Sequence, residues 1–225
     1  MSEVSTSNVR PQLDAVTRQW RQEARDGGVN VQTLAQTYTS PIDDVWDAVT
    51  SAERIPRWFM PISGDLQLGG RYQLTGNAGG EILECSPPAD GTAHYRVTWE
   101  FGGGVTWLTI RLTSHQDATR LELEHVARTA EIPAEMAQMF GPGATGVGWD
   151  GGLLGLHLHL SGTGGAMNPE ELTAWATSEH GKEFYRGAAD AWAEAAIGAG
   201  TDEATARQQA EATYGFYTGT APTQG

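Results

Sequence analysis

The sequence predicts an α+β fold in which an antiparallel sheet is covered on one face by a long helix. Three observations carry this. Between residues 65 and 127 the apolar residues recur with a period of two, in runs near 65–75, 79–85, 93–101, 105–113 and 119–127. Links of turn length separate the runs, as in a meander of antiparallel strands. Leu108, Ile110 and Leu112 share one parity, as do Leu121, Leu123 and His125, whereas Arg120, Glu122 and Glu124 take the other. One sheet face is therefore wet and the other needs a cover. The stretch 143–160, GATGVGWDGGLLGLHLHL, supplies it, because Trp149, Leu153, Leu156 and Leu160 fall at i, i+4, i+7 and i+11 on one helical face.

Taken in order, residues 1–10 are polar and expected to be disordered. Leu13, Val16, Trp20 and Ala24 then recur at helical spacing up to Asp26-Gly27-Gly28, predicting a short amphipathic helix. Residues 29–39, rich in Val, Thr and Tyr, read as a first strand whose irregular alternation allows a bulge. Ser40-Pro41 offers a serine cap and a proline at the start of a helix carrying Ile42, Val45, Trp46 and Val49 on one face. A second short helix over 51–55 is expected to stop at Pro56, with Trp58, Phe59 and Met60 clustered at an elbow beyond it. After the meander, the linker 132–142 contains Met136, Met139 and Phe140 and reads as a short helical turn or lid. Residues 169–217 are Ala- and Glu-rich with helical spacing, predicting three helices packed on the main domain or on a second subunit. The tail from Thr218 is expected to be loose. The domain reading is 1–28 as an N-terminal extension, 29–165 as the main domain and 166–225 as an Ala-rich helical extension.

Charge and composition narrow the partners. With 28 acidic against 14 basic residues among 225, the net charge is −14, so the surface field repels nucleic acid and anionic lipid. The single cysteine, Cys85, is too little for an intramolecular disulfide or a thiolate metal site, and a reducing cytoplasm fits. No apolar stretch approaches the roughly 20 residues of a membrane span. No cofactor or metal is expected.

Particular motifs resemble a known family. Pro41-x-x-x-Val45-Trp46-x-Ala48-Val49-Thr50, the elbow Arg57-Trp58-Phe59-Met60-Pro61, and Gly69-Gly70-Arg71-Tyr72 occur in the order of its first helix, paired aromatics and strand entry. Gly80-x-Ile82-x-Glu84 with Pro87-Pro88 and Thr98-Trp99 resembles its central hairpin. Leu121-x-Leu123-x-His125 and Gly148-Trp149-x-x-x-Leu153-x-x-Leu156-x-x-x-Leu160 resemble its last strand and closing helix. Together these resemble the helix-grip fold of the SRPBCC (START-like) superfamily, in its branch related to the activator of Hsp90 ATPase. The resemblance covers about residues 30–162. It implies a curved antiparallel sheet wrapped around the long C-terminal helix, with a cavity between them. Its members include lipid and sterol carriers, polyketide aromatases and cyclases, self-resistance proteins and co-chaperones, so the fold leaves function open.

Within that frame Trp58, Phe59, Tyr72, Tyr95, Val97, Trp99, His125, Trp149, Leu153 and His157 are the expected ligand-binding residues. Aromatic walls with a few polar edges suit a small apolar, aromatic or polyketide-like molecule. His125, on the inward parity, is the candidate for a proton-transfer role; alternatively it is a histidine satisfied by backbone at a strand end. His157 is expected on the Trp149/Leu153 face and His159 in solvent, because i and i+2 lie about 200° apart on a helix. Glu122 and Glu124 fall on the wet face, while Glu84 shares parity with Ile82. Gly141-x-Gly143-x-x-Gly146 lacks the preceding strand of a dinucleotide site. The five glycines at 146, 148, 151, 152 and 155 cost about 1 kcal/mol each against alanine. Missing side chains there admit either the close approach of a neighbouring backbone or a ligand, and in the closing helix of the fold they are read as room left for a guest rather than as loose packing. Ligand binding is the leading reading, with sequestration or self-resistance in a natural-product pathway as its sharper form. An aromatase/cyclase- or isomerase-like enzyme and a co-chaperone or protein-interaction module, with a homodimer through the C-terminal helices, are the alternatives.

Overall fold

In the computed structural model, which describes residues 6–220, eight antiparallel strands form one sheet in the order β1-β2-β8-β7-β6-β5-β4-β3. The strands are β1 (Thr17–Glu23), β2 (Val29–Tyr38), β3 (Ile62–Gly64), β4 (Arg71–Leu74), β5 (Gly79–Ala89), β6 (Thr92–Phe101), β7 (Gly104–His115) and β8 (Ala118–Arg128). The helices are α1 (Thr6–Ala15), α2 (Ile42–Thr50), α3 (Ala134–Phe140), α4 (Gly143–Leu160), α5 (Pro169–Thr177), α6 (Glu179–Gly198) and α7 (Glu203–Thr218). The meander β5–β8, the linker helix α3, the bounds of α4 and the three C-terminal helices follow from the periodicities. Asp202 caps α7 by accepting from the Thr205 amide.

The N-terminus departs from the prediction. Helix α1 begins at Thr6, inside the stretch expected to be disordered, and Val9 is fully buried. It ends at Ala15, and Thr17–Glu23, expected to continue a helix, pairs with β2 over its whole length. Residues 1–5 and 221–225 lie outside the described residues, so the expected loose tail is described only as far as 220; Thr218 itself is buried. A strand forms at 17–23 because β2 otherwise presents an unpaired edge, and that edge is a property of the assembled sheet.

Smaller corrections have local causes. No side chain caps α2; the Ser40 carbonyl instead accepts from the Thr119 hydroxyl at 2.8 Å. Pro56 sits inside a 3-10 turn at Ile55–Arg57 rather than ending a helix. Of the expected run 65–75 only Arg71–Leu74 is strand, and the short β3 precedes it. Strand β2 pairs without a break on both sides, so its irregular alternation involves no bulge; register shifts occur in β5, between Ile82 and Glu84 and between Ser86 and Ala89. The first matters for function. One extra residue reverses strand parity, so Glu84 is exposed and Cys85, paired with Tyr95, joins Ile82 on the inner face.

Most of the α4 glycines are close approaches rather than spare room. A Cβ at Gly146 would fall on the Trp192 ring, one at Gly155 on the Trp58 carbonyl oxygen, and one at Gly143 would lie 2.6 Å from Thr213 Oγ1. Gly151 meets nothing within 4 Å. Gly152 alone of the five abuts the cavity described below, with Phe59 3.6 Å from its notional Cβ. The C-terminal helices thus press on the N-terminal half of α4, and the elbow presses on its C-terminal half. Further bonds hold α3 and α4 to α6 and α7: Trp192 Nε1 donates to Asp150 at 2.9 Å, Tyr217 to the Ala144 carbonyl at 3.1 Å, and Gln209 to the Ala137 carbonyl at 3.2 Å. Phe184, Ala188, Trp192 and Ala196 are buried within this chain, so the main apolar face of α6 is already covered.

Candidate functional site

Between the inner sheet face and α4 lies a cavity of about 130 Å³. Three pieces of chain build it. Inward parity on β4–β8 presents Tyr72, Tyr95, Val97, Leu108, Ile110, Leu121 and Leu123; the buried face of α4 presents Trp149, Gly152, Leu153 and Leu156; the segment after α2 presents Ile55, Trp58, Phe59, Ile62 and Leu66. Trp58, Phe59, Ile62 and Leu66 are half-buried, as are Cys85, Tyr95 and Trp99 across from them. No charged side chain touches the cavity. An ion placed there would lose its hydration without a counter-charge, so the environment disfavours charge.

Eight expected residues, Trp58, Phe59, Tyr72, Tyr95, Val97, Trp99, Trp149 and Leu153, come together on this wall. His125 and His157 do not. His157 is half-buried away from the cavity. His159, expected in solvent, has its Nε2 within 3.1 Å of the Arg54 guanidinium, which also binds Asp44 and Asp47. Among the residues that the sequence reading missed, Leu108, Ile110, Leu121 and Leu123 carried a signal in their parity. Cys85 carried the opposite signal because of the bulge, and Ile62 and Leu66 lie where strand periodicity breaks down.

His125 is a buried support for the wall. Trp149 Nε1, which can only donate, approaches its Nδ1 at 3.3 Å. With Trp149 as donor, Nδ1 accepts and the ring proton sits on Nε2, which faces Thr106 Oγ1 at 2.8 Å; Gln32 Oε1, 3.4 Å from Nδ1, is then a contact without a proton between them. Both nitrogens are thereby engaged, and the Trp149 ring is held edge-on to Trp99 with centroids 4.9 Å apart. Burial pushes the His125 pKa down to about 4. The folded state therefore favours the neutral ring. Stability from this group is complete above the unfolded pKa near 6.5 and is lost as pH falls towards 4, by about 2 kcal/mol at pH 5. Urea denaturation should show this loss in the wild type and a shallower pH dependence in His125→Gln. Burial lowers His157 and His159 in the same direction, so the difference between the two proteins, not the whole slope, reports His125. Equal slopes would remove the buried neutral histidine from the account.

Chemically, the wall offers rings, methyl groups and few polar atoms. Tyr72 donates its hydroxyl to the Thr98 carbonyl at 2.7 Å, Trp58 Nε1 to the Ala48 carbonyl at 2.8 Å, and Thr50 to the Trp46 carbonyl at 2.7 Å. The wall has no carboxylate, imidazole or amine. Among the described residues no three His, Cys, Asp or Glu side chains gather as for a metal ion, and no helix is long and apolar enough to cross a membrane.

The family model described as activator of Hsp90 ATPase homolog 1-like protein matches residues 39–156, just over half of the chain. The chain belongs to this family. The match contains α2, the elbow, the meander and α4 as far as Leu156, the elements that enclose the cavity. Its helix-grip architecture is thereby that of the SRPBCC superfamily. Two solved structures of CalU16 from Micromonospora echinospora are similar. The crystal structure is 30% identical, covering 81% of this chain and 99% of CalU16 with a TM-score of 0.59. The solution structure is 29% identical, covering 82% and 97%, with a TM-score of 0.64. CalU16 thus aligns with more of this chain than the family model does. No curated protein matches the sequence.

Proposed function

We propose that this family member binds a small, neutral, ring-bearing apolar molecule in the cavity between its sheet and α4. The supporting observation is the cavity itself, walled by aromatic and aliphatic side chains and without a charged group. Apolar and set between a helix and a sheet, it has the character of a small-molecule site. The cellular use we propose is sequestration, including self-protection in a natural-product pathway, on the strength of the superfamily resemblance.

Titration with tetralin, a bicyclic hydrocarbon, tests the binding. The melting temperature should rise with concentration in the wild type. Val97→Phe, which directs a ring into the cavity, should abolish that rise while the protein still unfolds cooperatively. If the wild type does not respond, or the variant responds equally, the cavity is not the site. Sequestration also requires the guest to leave unchanged. Mass spectrometry of a candidate guest after prolonged incubation should recover its starting mass and isomer; a converted product would favour the cyclase- or isomerase-like alternative.

A further inference from the structure

The wall is almost free of hydrogen-bonding capacity, and its exceptions fix the chemistry of a guest. Tyr72, Trp58 and Thr50 each donate to a backbone carbonyl, and Trp149 donates to His125. The Tyr95 hydroxyl makes no hydrogen bond to any described residue, and it is not sealed from a water-sized probe. Strand pairing places Tyr95 in the middle of the wall, opposite Cys85 on β5 and Ile110 on β7, which both line the cavity. The Trp46 ring packs against the Tyr95 ring from α2, with centroids 6.1 Å apart, which holds it in place. A phenol that lines an apolar cavity, open to a water-sized probe and without a protein partner, has hydrogen-bonding capacity free for whatever enters.

We infer that the Tyr95 hydroxyl is the polar anchor of the cavity, donating a hydrogen bond to a neutral oxygen on a ring-bearing guest. This rests on the cavity being a binding site. The guest class is an aromatic or alicyclic ketone, ether or similar neutral acceptor, not an acid, amine or phosphate. Burial raises the Tyr95 pKa far above the ordinary phenol range, so the group stays protonated and able to donate throughout the physiological range. Trp99 also has an indole N–H without a partner among the described residues, but its ring is packed edge-on to Trp149.

Two probes with one carbon skeleton separate the outcomes: tetralin, and α-tetralone, which adds a ketone oxygen. Calorimetric titration should find α-tetralone bound about two- to tenfold more tightly than tetralin by the wild type, the worth of one hydrogen bond. Tyr95→Phe should abolish that preference and leave tetralin affinity within about twofold. With no protein partner lost, the variant should melt close to the wild type without ligand. A preference that survives in Tyr95→Phe, or is absent from the wild type while tetralin binds, overturns the anchor and leaves the binding site standing. If neither compound binds the wild type, the binding site fails and the anchor with it.

Discussion

Replacing Asp150 with alanine should destabilise the protein by about 3–5 kcal/mol, the largest loss expected from any single substitution proposed for this chain. Asp150 is the only carboxylate on α4, is 1% exposed, and faces Arg18 of β1 at 2.8 Å with both side chains almost fully buried. Trp192 of α6 donates to its other oxygen. Burial pushes the Asp150 carboxyl above its ordinary range, against the opposing pull of Arg18 and Trp192. Arg18 Nη1 also donates to the Val16 carbonyl at 2.8 Å, so its guanidinium cannot swing into water when the partner goes. An unpaired buried cation is what makes the single change costly. The double variant Arg18→Met with Asp150→Leu should recover only part of the loss: an apolar pair needs no desolvation of charge, but the buried Trp192 N–H loses its acceptor. Denaturation midpoints of the three proteins check this. A loss under about 1 kcal/mol for Asp150→Ala would mean that the pair does not join the N-terminal strand to the helix.

The next largest effects should come from the α4 glycines, and they should differ in sign. Gly146→Val requires Trp192 to leave its place and should cost about 3 kcal/mol, the upper end of overpacking losses. Gly155→Ala meets a backbone carbonyl, which yields less readily than a side chain, and should cost a similar amount. Gly151→Ala meets open space and should stabilise by up to about 1 kcal/mol through helix propensity. Thermal melts of the three variants decide between packing and spare volume. Uniform stabilisation across the set would restore the reading of these glycines as room for a guest.

The meander, the parity of its inner face and the extent of α4 were legible in the sequence because each repeats a period over ten or more residues. Eight wall residues followed from that parity and from the paired aromatics at the elbow. His125 was correctly turned inward by parity, but parity cannot tell whether an inward side chain reaches a void or a neighbour, and Trp149 occupies that space. Cys85 and Glu84 exchanged faces through one unpaired residue in β5, which leaves no mark in hydrophobic spacing. Trp20 shared a helical spacing with Leu13 and Val16, yet it stands on a strand, because edge pairing with β2 outweighs a weak local pattern.

Local periodicity and turn chemistry, which act within a few residues, determined by themselves that this chain folds as a sheet under a long helix, with an aromatic, uncharged inner face. Only the tertiary structure decided what the glycines of α4 are for. A missing side chain is the same symbol in sequence whether a tryptophan, a carbonyl or an empty volume lies beside it. The difference depends on Trp192, Trp58 and Phe59, which chain connectivity brings to the helix from as far as 46 residues after Gly146 and 97 before Gly155. At Gly152 alone does that neighbourhood open onto the cavity.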